Sequence, residues 1–123
     1  MRFCMAINCM DGRAQLPVIH YLRRRFDVEF VDMVSEPGPN RILAAGREAV
    51  RTTAIEQRVR LSIDRHQSVG IAVIRHHDCA GNPAPRNEQI AQVCDAIEFL
   101  RPHCGGKPLI GLWVDENWQV EEV

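Results

Sequence analysis

Residues 69–79 read VGIAVIRHHDC. The first six, VGIAVI, are apolar without alternation, and four of them are β-branched. Such a run argues for a strand covered on both faces, as at the centre of a parallel sheet. Two histidines, an aspartate and a cysteine follow at once, and AGNPAP (80–85) then supplies turn residues. Metal-seeking side chains therefore stand where a buried strand ends.

The same design recurs at the N-terminus. RFCMAIN (2–8) reads as a short buried strand, and Cys9 closes it ahead of the charged loop MDGR. Between the two runs, Ala14, Val18, Ile19, Leu22 and Phe26 share one arc of a helix over 14–26. Pro17 fits only near the first turn, so that helix starts around 13–16. VEFVDMV (28–34) reads as a second strand, SEPGPNR (35–41) as a loop, and 47–66 as a long helix. Beyond the central run come a helix over 86–101, with Ile90, Val93, Cys94 and Ile97 at helical spacing, and a strand PLIGLWV (108–114). The order β-α-β-α-β-α-β predicts an α/β fold, a three-layer α/β/α sandwich. Its central sheet is mostly parallel, with four strands in the order 2-1-3-4, and the tail WQVEEV is a candidate C-terminal edge strand. With 123 residues and no linker or repeat, residues 1–123 read as a single domain.

The long helix carries two apolar stripes. Val50, Ala54 and Leu61 lie on one side, and Ile55, Val59 and Ile63 lie roughly opposite. One stripe serves the sheet, and the other predicts a homodimer or higher homo-oligomer.

Composition narrows the function. Apolar residues make up 46% and the net charge is −1, which excludes a disordered chain and a strongly basic nucleic-acid or membrane surface. No apolar run reaches membrane-spanning length, and residues 1–13 lack a signal-peptide pattern, so a cytoplasmic protein is expected. An odd count of five cysteines does not read as a disulfide framework. A thiol phosphatase needs five residues between its cysteine and arginine; Cys79 and Arg86 have six between them, Cys4 and Arg13 eight. No P-loop or G-x-G-x-x-G follows a strand.

In a sheet of order 2-1-3-4 the first and third strands are neighbours, and ligands bind at their carboxyl ends where strand order reverses. Cys9 then comes close to His76 and Cys79. Two thiolates and an imidazole make a three-ligand zinc set with a fourth position to fill. His77, adjacent to His76, is the rival ligand. Cys4, Cys94 and Cys104 read as structural, and His20, His66 and His103 as surface or helix-end residues. Asp78 reads as a loop cap or a support of the site, and Asp11 and Arg13 as at least a helix-start ion pair.

Cys9-Met10-Asp11-Gly12-Arg13 and His76-His77-Asp78-Cys79, each after a strand and in this order, resemble the C-x-D-x-R and H-x-x-C motifs of the β-class carbonic anhydrases. The resemblance spans roughly residues 3–114. It implies zinc held by Cys9, His76 and Cys79, with Asp11 and Arg13 as the catalytic dyad. In that family the aspartate either pairs with the arginine, leaving zinc open, or swings onto zinc and closes the site. The implied enzyme is a carbonate dehydratase-type lyase interconverting carbon dioxide and bicarbonate, because zinc brings the pKa of water from about 15.7 to about 7. His77 or His20 is a candidate proton shuttle. The same scaffold serves hydrolases of carbonyl sulfide and carbon disulfide, and a non-catalytic zinc-binding domain is the further alternative. The chain departs from the family at SEPGPNRIL (35–43), at Arg75 and at Ala80, the last two standing where glycine is common.

Overall fold

A computed structural model of the chain describes residues 1–36, 38 and 49–123. β1 (Phe3–Cys9) leads through a single 3-10 turn (Gly12–Ala14) into α1 (Gln15–Phe26), and then β2 (Phe30–Glu36). α2 (Ala49–His66), β3 (Ile71–His76), α3 (Arg86–Leu100), β4 (Leu109–Val114) and β5 (Val120–Glu122) follow. The sheet order is β2-β1-β3-β4-β5. β1, β2, β3 and β4 run parallel, and β5 returns antiparallel on β4. The order read from the sequence and the edge strand in the tail are both present. Strand order reverses between β1 and β3, which places a crevice at their carboxyl ends.

Two apolar layers hold the sheet. On one face Cys4, Ala6, Ala72, Ile74, Leu112 and Val114 pack against Val18, Leu22 and Phe26 of α1. On the other, Met5, Ile7, Val34, Ile71 and Val73 pack against Ile55 and Val59 of α2 and Ala96 and Leu100 of α3. Every residue of β3 is buried, both its apolar run over 71–74 and the Arg75 and His76 that end it. The two faces alternate along each strand, so Met5, Ile7 and Cys9 share a face with Ile71, Val73 and Arg75.

The strands run one or two residues later than the sequence reading placed them. Val28 still belongs to the turn that closes α1, its N–H bonded to Arg23 O, and Asp27 takes the left-handed conformation there (φ 52°). Cys9 and His76 are consequently the last residues of β1 and β3 rather than loop residues. The 35–41 loop reading and the start of the long helix at 47 lie largely outside the described residues.

α3 also differs. Its buried residues are Gln89, Val93, Ala96 and Leu100, so the core stripe is rotated from the one the apolar residues marked out. Cys94, read as buried, is exposed. The reason is Gln89: a polar residue takes the first core position because it has buried polar partners, described below. On α2, Ile55 and Val59 face the core while Val50 and Leu61 are 85% and 61% exposed. No helix among the described residues is long and apolar enough to cross a membrane.

Candidate metal centre

The crevice between β1 and β3 brings together Cys9, His76 and Cys79. One ligand atom from each lies within 4.8 Å of the others, and all three residues are buried. The two sulfurs are 3.8 Å apart. Cys9 and His76 come from the ends of adjacent strands. Cys79 is brought back by the turn after β3, where Asp78 adopts φ 56°. Gly38 helps to close the site at a φ of 56°, where a Cβ would meet the Gly81 backbone at 3.0 Å.

Each group is oriented. His76 Nδ1 donates to the His77 carbonyl at 2.7 Å, which leaves Nε2 for the cluster; Nε2 is buried and has no hydrogen-bond partner among the described residues. The His77 ring, the rival ligand, is exposed and outside the cluster. Between the thiols, the Cys9···Cys79 hydrogen bond pushes Cys9 up and Cys79 down. Burial opposes ionisation of both, while the backbone N–H groups of Gly38 and Asp11 favour the thiolate at Cys9, and His76 and Arg75 favour it at Cys79.

Asp11 and Arg13 stand at the rim. Asp11 caps the 3-10 turn by accepting the Arg13 backbone N–H at 2.9 Å. Its carboxylate also takes Arg13 Nε at 3.0 Å and Nη2 at 2.7 Å, a two-pronged pair. These bonds from Arg13 hold the Asp11 carboxyl at about 2, against an ordinary 3.8. The helix-start pair and the dyad geometry are thus the same contact. Gln15 braces the loop by donating Nε2 to the carbonyls of Cys9 (2.7 Å) and Asp11 (2.9 Å).

Three contacts were not evident in the sequence. Arg13 Nη1 reaches the Asp78 carboxylate at 3.3 Å, so Arg13 ties the two motifs together. The Arg13 guanidinium lies 4.6 Å from the centre of the Trp118 ring, which arrives from the β4–β5 turn. Arg75 is fully buried beside the cluster and donates Nη2 to Gln89 Oε1. Gln89 Nε2 in turn holds the carbonyls of Ala84 (2.6 Å) and Asn82 (3.4 Å), in the loop that follows Cys79. The only sequence signal was an arginine closing an apolar strand. Cys4 and Cys104 are buried, His20 and His66 are exposed, and His103 is half-buried at the end of the turn after α3.

A protein-family model described as "Putative carbonic anhydrase" matches residues 1–123. No curated protein sequence matches. Among solved structures, the chain is similar to one from the structures of two tetrameric β-carbonic anhydrases of the filamentous ascomycete Sordaria macrospora. That match has a TM-score of 0.60 at 12% identity and covers 98% of this chain and 79% of that one. A carbonic anhydrase from Glaciozyma antarctica matches with a TM-score of 0.54 at 15% identity, covering 96% and 80%. The β-carbonic anhydrase of the fungal pathogen Aspergillus fumigatus matches with 0.54 at 10% identity, covering 98% and 74%. At these identities the structures speak to the fold, and it is the same fold.

Proposed function

This chain belongs to the carbonic anhydrase family of lyases, and we propose that it interconverts carbon dioxide and bicarbonate with zinc held by Cys9, His76 and Cys79. The observation that carries the reading is the buried, unpartnered Nε2 of His76 beside two sulfurs 3.8 Å apart. Tetrahedral zinc with Zn–S of about 2.3 Å sets two sulfurs about 3.8 Å apart. Donor type, spacing and burial all fit, and soft thiolates with imidazole favour zinc over magnesium or calcium.

Bound there, zinc supplies Lewis acidity that makes a water acidic near neutral pH. The chain supplies the rest. Asp11 is kept ionised by Arg13, so it accepts a hydrogen bond from the attacking water and orients it. Both carboxylate oxygens are engaged by Arg13, and Asp11 is not among the clustered ligands, which supports the open arrangement of the dyad. Arg13 is itself positioned from two further sides, by Asp78 and Trp118. His20 and His77 are exposed and available as proton carriers.

The reading takes residues 1–123 as one zinc-binding domain. The exposed Val50 and Leu61 on α2 support assembly into a homodimer or larger oligomer, and the Sordaria macrospora enzymes are described as tetrameric. Five free cysteines fit a reducing, cytoplasmic location.

The test is metal content of protein purified without added metal, paired with stopped-flow carbon dioxide hydration across pH. About one zinc per chain with activity is expected. Zinc without hydration would move the proposal to carbonyl sulfide or carbon disulfide, or to a non-catalytic zinc domain. Freshly reduced protein without zinc would overturn it.

A further inference from the structure

Arg75 is the largest fully buried side chain among the described residues. A charge in that position is costly unless something of opposite sign compensates it. Among the described residues its one hydrogen-bond partner is the neutral Gln89, and Nε and Nη1 have none. No carboxylate among the described residues is paired with it. The compensation lies in the metal centre. Ile7 and Val73 are register partners on the parallel strands β1 and β3, and two residues further along each strand stand Cys9 and Arg75. Both project from the sheet face that α2 and α3 cover. Cys79 Sγ is 3.8 Å from Cys9 Sγ, so both sulfurs stand at the end of the β1–β3 crevice that Arg75 shares.

Counting charge shows the consequence. Two thiolates and a neutral imidazole cancel a divalent zinc. Arg75 then leaves a buried centre with one excess positive charge, and a monovalent anion restores neutrality. We infer that Arg75 is an internal counter-cation of the metal centre, which biases the fourth ligand position toward a small monovalent anion such as bicarbonate. The inference rests on the zinc reading above. Nε and Nη1 are the N–H groups available to the sulfurs, while Nη2, through Gln89, anchors the loop after Cys79. Arg75 is therefore a positioning residue that acts through the ligands, and its effect shows in anion affinity.

The test uses the full chain loaded with cobalt(II), whose visible spectrum reports the fourth ligand, titrated with thiocyanate. Arg75→Met removes the charge and keeps an apolar filler; Arg75→Gln serves if methionine is not tolerated. Either is expected to keep cobalt and bind thiocyanate on the order of tenfold more weakly. Gln89→Met cuts the loop anchor while leaving the charge, and is expected to bind thiocyanate nearly as well as the parent chain. Unchanged thiocyanate affinity in a cobalt-loaded Arg75 variant overturns the inference. So does an equal loss in Gln89→Met, which would make loop anchoring the cause. No cobalt in the parent chain would overturn the zinc reading itself, a result distinct from either.

Discussion

Two pairs of cysteines in this molecule are equally buried and differently surrounded. Cys4 and Cys104 are 0% and 1% exposed, and Cys9 and Cys79 are 3% and 2%. Cys4 sits in the apolar layer under α1, where burial, followed by the charge of Asp32, pushes its thiol up to about 12. Cys104 donates to the Leu100 carbonyl at 3.2 Å, and burial raises it too. Both behave as small hydrophobes. Cys9 and Cys79 lie equally deep, but backbone N–H groups, an imidazole and a guanidinium surround their sulfurs. Burial alone does not make a thiol a ligand; the polar groups aimed at the sulfur do.

The largest effect that could break this comparison comes from exchanging one cysteine at a time. Cys9→Ser is expected to bring zinc per chain close to zero and to cut hydration on the order of a thousandfold or more. Cys104→Ala is expected to retain metal while costing roughly 1 kcal/mol in denaturant unfolding. Metal loss from both would erase the distinction.

Asp11→Asn comes next. Zinc content should stay near one per chain, while kcat/KM falls by about a hundredfold or more. Retained activity would show that the rim carboxylate has no part in the chemistry. Asp78→Asn sharpens the same point from the other side. Its pair with Arg13 is exposed, so the cost should stay within roughly 1 kcal/mol, or about fivefold in kcat/KM. A loss as deep as that of Asp11→Asn would promote Asp78 to an equal partner in the dyad.

The smallest effect is one of pH, read on metal-free protein. The folded-state pKa of Asp11 is about 2 against 3.8 when unperturbed, so its ionised form favours the folded state. That contribution is present in full above the ordinary value and is lost as pH falls from about 4 through 2. The urea-midpoint difference between the parent chain and Asp11→Asn should shrink across that window. A constant difference would mean that Arg13 does not hold the carboxylate.

Much of this arrangement was legible residue by residue. The unbroken apolar run at 69–74 marked a strand covered on both faces, and the turn residues after it marked its end. Given a strand order of 2-1-3-4, those local signals and the rule that ligands gather where strand order reverses bring Cys9 to His76 and Cys79. The misses share a cause. Apolar periodicity treats Gln89 and Arg75 as surface residues, because a polar side chain is normally exposed. Here each is the other's partner, so both are buried, and the core stripe of α3 turns away from Cys94. Trp118 could not be assigned to the site because it reaches Arg13 across 105 positions of chain, through a turn at φ 59°.

The sequence by itself determined the elements and their order along the chain, and marked Cys9, Cys79 and His76 or its neighbour His77 as candidate ligands, since these follow from residue type, period and motif spacing. Tertiary structure alone decided which polar groups meet: Arg13 between Asp11 and Asp78, Trp118 over it, and buried Arg75 against Gln89. The physical reason is range. Strand and helix patterns are written in neighbours a few residues apart, whereas electrostatic compensation depends on distances in space that exist only after the sheet has formed.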